Sequence, residues 1–364
     1  MERPMAFPDL MRTDLALEAR EAVRARDGEE VDGVDVDVEE DDDIRITRME
    51  IRTDAAANRL GKAKGKYTTL EAPRLREEDR TFLPRVVDRL ASELHRYFED
   101  FGIGPDDLVL VVGLGNRDVT PDALGPEVVA RVHVTNHLFA AEGVDLSGFR
   151  PVAAVAPGVL GTTGIETGEI VAALARAVAP RAIVAVDALR AHRLERLHTT
   201  VQLSDTGIVP GSGLGMKRRP LTRVELGVPV LAVGIPTVVD AATIVADTLH
   251  VLERSIGRRL AWETDPPPRR RLVSPDALPG VSPSSVRESE PVSEVRQAIL
   301  GFLGELSDDE RHSLFVEVLG PVEYNFIVTP KDIDAFVDRA ATVLASALNR
   351  ALHPDVTEGN YGVF

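Results

Sequence analysis

An α/β fold, with a mostly parallel sheet flanked by helices, is what this sequence predicts, and three observations predict it. Short apolar runs recur along the middle of the chain, at 108–114, 152–156, 182–186, 201–203 and 228–233. Most are β-branched and nearly unbroken, as strands buried on both faces are. Helix-length segments separate several of them, and that alternation marks βα units. Alanine and valine dominate an apolar content of 44%, while aromatics supply only 4%, so aliphatic side chains must fill the core.

The elements follow in chain order. Residues 1–45 are polar, acidic and poorly periodic. Ten acidic residues fall between Glu29 and Asp43. This run reads as a solvated loop, an acidic insertion near 29–43. A short strand starts at Ile44 and continues through Ile46, Met49 and Ile51. Residues 75–101 read as a helix, because Phe82, Val86, Val87, Leu90, Leu94 and Phe98 recur at helical spacing. Further helices are expected at 125–141, 166–179 and 240–256. Residues 265–290, rich in Pro, Arg and Ser, read as an exposed linker. A C-terminal helical segment over 291–352, with helices at 292–318 and 331–352, returns to cover the core. Residues 15–364 are thus expected to form one α/β domain with these additions.

Composition removes several classes of function. The formal net charge is −17, so the chain repels phosphate backbones and anionic membranes, and no direct nucleic-acid or membrane partner is expected. There are no cysteines, which removes disulfides, cysteine nucleophiles and thiolate zinc sites. No apolar run approaches the length of a membrane span, and residues 1–13 lack the apolar stretch of a signal peptide. A soluble, cytoplasmic protein is expected.

In an open α/β sheet, ligands bind beyond the carboxyl ends of the strands. The segments that follow the apolar runs are polar and glycine-rich, and all are expected at one sheet edge. They hold Asn116, Thr120 and Asp122 after the first run, Thr162 after the second, and Asp187 after the third. Asp205 and Ser212 follow the fourth, and Asp240 follows the fifth. Asp187 ends the run 182–186, so its carboxylate should stand at the sheet edge. Asp122 lies in the first loop, just before a helix. Two carboxylates close together cannot both ionise easily, so they can share a proton and act as acid and base. Such a pair activates water and protonates a leaving amine. Asp122 equally suits a helix cap or turn, and Asp187 a strand-end turn. Asp118, Asp205 and Asp240 fit structural roles better.

Other chemistry is weakly supported. The patterns at Gly113 and Gly115, and at Gly211, Gly213 and Gly215, lack the spacing and the lysine of a phosphate loop. Lys217, Arg218 and Arg219 suit a solvated turn better than an anion site. His133 and His137 lie four apart on an expected helix but have no third ligand. Ser212 is not in a GxSxG elbow. No cofactor and no metal is called for.

The loops nevertheless carry a resemblance. Gly113-Leu114-Gly115-Asn116 with Thr120-Pro121-Asp122-Ala123-Leu124-Gly125-Pro126, and Pro157-Gly158-Val159-Leu160-Gly161-Thr162-Thr163-Gly164, resemble the germination (spore) protease family of spore-forming Firmicutes. So do Asp187-Ala188-Leu189, Ser204-Asp205-Thr206-Gly207, Pro210-Gly211-Ser212-Gly213-Leu214-Gly215, Gly234-Ile235-Pro236-Thr237-Val238-Val239-Asp240-Ala241 and Val328-Thr329-Pro330-Lys331. The likeness runs from about residue 11 to about residue 353. It implies an endopeptidase that degrades small acid-soluble spore proteins in the spore core during germination. It further implies a homotetramer, a fold similar to the hydrogenase maturation proteases, and a catalytic pair matching Asp122 and Asp187. It implies a zymogen with an N-terminal propeptide over 1–14. Thr13-Asp14-Leu15-Ala16 resembles the processing site, cut between Asp14 and Leu15. Arg52-Thr53-Asp54-Ala55 is similar but has alanine in place of the large apolar residue. Arg117-Asp118 departs from the family pattern, and Asp118 could tune or replace Asp122. Two other readings remain: a metal-dependent maturation-type peptidase, and a non-catalytic binder of anions or nucleotides through the glycine loops.

Overall fold

The computed structural model describes residues 13–141, 145–210, 219–249, 251–252 and 326–354, with scattered positions between 301 and 318. The propeptide up to residue 12, Ser212, Lys217, Arg218, the linker 265–290 and the start of the C-terminal helical segment lie outside the described residues. Two compact units emerge, Met1–Val239 with Val328–Phe364, and Asp240–Ile327. In the second, residues 241–249 are helical and the Ala241 N–H donates to the Phe326 carbonyl at 2.8 Å.

Helix α1 (Ala16–Asp27) precedes the strands β1 (Val34–Asp41) and β2 (Ile44–Ile51). Helix α2 (Asp54–Leu60), strand β3 (Gly65–Glu71) and the long helix α3 (Phe82–Asp100) follow. Then come β4 (Val109–Gly113), α4 (Leu124–Val129), β5 (Val152–Val155), α5 (Leu160–Thr163), α6 (Thr167–Val178) and β6 (Ala182–Ala191). The unit closes with β7 (Thr200–Ser204), α7 (Arg223–Leu226), β8 (Val230–Asp240) and α8 (Ile333–Leu352). The strands lie side by side in the order β1-β2-β3-β7-β8-β6-β4-β5.

The fold is α/β, but the sheet is mixed rather than mostly parallel. β5, β4, β6 and β8 pair in parallel, whereas β1, β2, β3, β7 and β8 pair antiparallel. The reason is connection length. The parallel strands are joined by segments long enough to cross over, while only two residues separate β1 from β2, a hairpin that permits only antiparallel pairing.

Strand burial is two-sided at the centre. Val109 and Val111 of β4, with Val184 and Val186 of β6, face a core built with α3, α4 and α8. Leu110 and Val112, with Ile183 and Ala185, face the opposite core under Val171 and Ala175 of α6. Ala16 and Val23 of α1 and Ala56 and Leu60 of α2 pack with Met49, Ile51 and Tyr67 beyond β7.

Two expectations fail here for clear reasons. The acidic run is not a loop, because its valines alternate with acids and alternation is the strand period. β1 pairs with β2 over its whole length, and Asp37 and Glu39 bind Arg48. Charge on this edge strand discourages further strand addition. The helix expected over 125–141 stops at Val129. The Thr135 and Asn136 N–H groups both donate to the Val152 carbonyl, at 3.0 and 2.9 Å, so the chain leaves the helix to pair with β5. His133 and His137 therefore do not share a helix face.

Candidate active site

Asp187 is the sixth of ten residues in β6 and is only 9% exposed. It does not end its strand, as the sequence suggested. It becomes available because the neighbouring strand stops first: β4 ends at Gly113, opposite Val186, while β6 continues to Ala191. Alternation puts Asp187 on the face of Ile183 and Ala185. In the same cross-strand row lie Gly234 of β8 and Gln202 of β7. The Asp187 carboxylate accepts from the Ala188 N–H at 2.9 Å. Burial drives its pKa well above the usual carboxylate range, and the negative charges of Asp122 and then Asp14 push it further.

The gap left by β4 is filled by a glycine-dependent turn. The Leu114 N–H donates to the Val186 carbonyl at 2.8 Å, fastening the start of the loop to β6. Gly125 presses backbone to backbone on Leu114, where a Cβ would lie 2.6 Å from the Val186 oxygen. Between these points a 3₁₀ turn, Thr120–Asp122, carries Asp122. Gly115 has φ +109°, and a Cβ there would collide with the Asp122 carbonyl. The Asn116 N–H donates to the Asp122 carboxylate at 2.7 Å, and the buried Thr237 hydroxyl donates to the Pro121 carbonyl at 2.7 Å. Half-burial raises the Asp122 pKa, and the Asn116 hydrogen bond opposes the rise. Asp187, the more deeply buried, holds its proton to higher pH, so Asp122 ionises beside a neutral neighbour. Environments that separate two interacting carboxyls in this way distinguish an acid from a base.

The segment Thr13-Asp14-Leu15-Ala16 lies against the same strands. The Asp14 N–H donates to the Arg190 carbonyl at 3.0 Å, and the Asp14 carboxylate accepts from the Arg190 N–H at 2.8 Å. Leu15 is fully buried. The Asp14 carbonyl, that of the bond to Leu15, accepts from Gln202 Nε2 at 3.0 Å and Lys62 Nζ at 3.1 Å. Glu18, buried in α1, accepts from the His192 and Arg193 N–H groups at 2.8 and 3.0 Å and from the Thr13 hydroxyl.

This chain matches the family model described as germination protease over residues 11–364. It is 42% identical to the germination protease of Bacillus cereus over 358 residues, covering 97% of this chain and 96% of that protein. The germination proteases of Bacillus anthracis and Bacillus mycoides are 42% and 41% identical over the same shares.

The chain belongs to the germination protease family.

The other residues that the family resemblance singled out divide by position. Asn116 and Thr120 belong to the Asp122 turn, and Asn116 Oδ1 also accepts from the Asp118 N–H at 3.0 Å. Asp118 itself is exposed. Thr162 is exposed in α5, and its hydroxyl donates to the Val159 carbonyl at 2.9 Å in a local cap. Asp205 is a correction to the single-edge expectation. β7 runs antiparallel to β8, so the segment after it leaves at the opposite end of the sheet from Asp187. There the Asp205 carboxylate accepts from the Lys66 N–H at 2.7 Å and ties β7 to β3. Asp240 is the last, half-buried residue of β8. Thr53, in the second motif of processing type, caps α2 by accepting from the Ala56 N–H at 3.1 Å.

Sequence reasoning missed Lys62, Gln202, Glu18 and Thr237. Thr237 was inside a quoted motif, although nothing marked it as a support for Asp122. Lys62 sits in an ordinary polar context, and Gln202, between Val201 and Leu203, was read only as part of a strand. Among the described residues no group of three His, Cys, Asp or Glu side chains is placed to hold a metal ion. No described helix is long and apolar enough to cross a membrane.

Proposed function

We propose that this chain is a self-processing endopeptidase of spore germination, working by an aspartate pair, and that it first cuts its own Asp14–Leu15 bond. The observation that carries this reading is that Asp14 is pinned to Arg190 of the strand that bears Asp187, with Leu15 buried and the Asp14 carbonyl held by Gln202. A buried carboxyl that keeps its proton, a second that ionises, and a peptide bond beside them are the parts hydrolysis needs. Asp122 takes a proton from water as the oxygen attacks the Asp14 carbonyl carbon. The carbon–nitrogen bond to Leu15 then breaks, and the leaving nitrogen takes the proton held by Asp187. The products are a new carboxyl terminus at Asp14 and a new amino terminus at Leu15.

Small acid-soluble spore proteins are the proposed substrates, as the family match supports. A homotetramer, residence in the spore core and a fold related to the hydrogenase maturation proteases complete the reading. Asp187→Asn tests it: the purified variant should neither process itself nor cleave spore proteins. Cleavage at the wild-type rate would refute the aspartate pair. N-terminal sequencing of the processed wild type should begin at Leu15.

A further inference from the structure

We infer that Lys62 and Gln202 form the oxyanion site of this enzyme and hold its substrates by their backbone. The inference rests on the reading that Asp14–Leu15 is the first bond cut. Two donors converge on one carbonyl oxygen, that of Asp14, from opposite directions in the chain: Gln202 Nε2 at 3.0 Å from β7 and Lys62 Nζ at 3.1 Å from the segment after α2. An oxyanion site has this arrangement, because negative charge gathers on that oxygen as water adds to the carbon. Lys62 adds a positive charge. Lys62 is a half-buried residue; burial of its ammonium lowers the pKa on balance, and the charges of Asp14 and Glu18 oppose that fall.

The same two side chains read the peptide's register. Gln202 Oε1 accepts from the Ala16 N–H at 2.6 Å while its Nε2 donates to the Asp14 carbonyl. One side-chain amide therefore spans Leu15 as a neighbouring strand would, bonding the residue before the scissile bond and the second residue after it. Lys62 extends the grip one residue upstream, donating to the Thr13 carbonyl at 2.9 Å. All these contacts are to main chain, so any peptide of fitting side chains could take the place of residues 13–16. Gln202 is placed for this by the sheet itself. It shares a cross-strand row with Asp187, and Gly234 between them has no side chain to intrude. Neither donor is needed for the proton transfers, which the two aspartates carry. Their share is the charge on oxygen, which develops while the carbonyl is tetrahedral and disappears as the carbon–nitrogen bond breaks.

The test uses the full chain with Lys62→Met, Gln202→Met and Lys62→Arg, and with Asp187→Asn as reference. Self-cleavage is followed by mass spectrometry. Cleavage of a peptide copying residues 11–18 is followed with processed enzyme. Each methionine variant should slow self-cleavage by about 10²–10³-fold, as loss of one oxyanion donor does. On the peptide, kcat should fall more than KM rises, a split that a merely structural role would not give. Lys62→Arg keeps a charged donor and should recover part of the rate. Thermal unfolding identifies any variant that fails to fold, and the remaining methionine variant then decides. If folded Lys62→Met and Gln202→Met cleave within about threefold of wild type while Asp187→Asn stops, the oxyanion assignment falls and the aspartate pair stands. If Asp187→Asn also cleaves at full rate, both readings fall together.

Discussion

Gly115→Ala should disable the enzyme without touching a titratable group. The residue sits at φ +109°, where an L side chain is strained by roughly 1–2 kcal/mol. The added methyl would also collide with the Asp122 carbonyl and come within 3.1 Å of its Oδ1. Relief of such overpacking costs roughly 1–3 kcal/mol. The turn cannot yield freely, because its far side is held at Pro121 by Thr237 and at Gly125 by the close approach to Leu114 and Val186. Together the two effects predict a loss of roughly 2–5 kcal/mol on denaturant unfolding. The sharper effect falls on activity. A displacement of about 1 Å at a reacting group costs roughly 100-fold in rate, and Asp122 is the atom group displaced. Gly161→Ala is the matched control: the site is open, no neighbour lies within 4 Å, and it is helical in α5. That change should leave activity unaltered and stability equal or slightly raised. The assay pairs urea unfolding with cleavage of the 11–18 peptide. Wild-type stability and rate in Gly115→Ala would refute the claim that this turn is pinned and that its position sets the reaction.

Two further outcomes follow from buried carboxyls. Asp187 has a folded-state pKa raised above its unfolded value, so the native state binds its proton more tightly. Its stabilising contribution is fully present below about pH 4 and is lost as pH rises through the raised value. Asp187→Asn should therefore flatten the fall in unfolding midpoint from about pH 4 upward, and an unchanged slope would contradict the assigned burial. Glu18→Ala removes the acceptor of two N–H groups, those of His192 and Arg193, and frees the Thr13 hydroxyl. These N–H groups are only part-buried, so each lost hydrogen bond costs roughly 0.5–1.5 kcal/mol, the unfolding free energy should drop by about 1–3 kcal/mol, and self-cleavage should slow. Urea titration with timed mass analysis reads both.

Local pattern exposed some of this architecture and hid the rest. The apolar runs marked β4, β5, β6 and β8, because burial on both faces leaves few polar positions to break a run, while β7 was marked by Val201 and Leu203 around Gln202. α3 was legible since Phe82, Val86, Leu90 and Leu94 fall on one face, and all are buried. Strand direction was not legible. Nothing within the run at 201–203 states its direction, and only the three-dimensional path from His198, whose N–H donates to the Pro236 carbonyl at 3.1 Å, turns it antiparallel. β1 was hidden by its acids, whose charge outweighed the Val34, Val36, Val38 alternation. The helix over 125–141 was overcalled because its competitor, pairing of Thr135 with Val152, lies at a distance in sequence. At the site, Asp187 stood out because it follows an apolar run, and the family resemblance joined it with Asp122 of the first loop. Lys62 and Gln202 did not, since a donor matters only for what it faces.

The antiparallel direction of β7 decides what kind of site this can be. Had β7 run parallel, the segment bearing Asp205 would leave at the same end of the sheet as Asp187. Running antiparallel, β7 carries Asp205 to the far end, where it accepts from the Lys66 N–H, and leaves an amide opposite Gly234. A peptide lying across the row then meets an acid at one side and a neutral donor at the other. Carboxylates alone could move protons but would repel the charge forming on the carbonyl oxygen. The mixed sheet thus lets a proton-holding acid and a carbonyl donor face the same peptide segment.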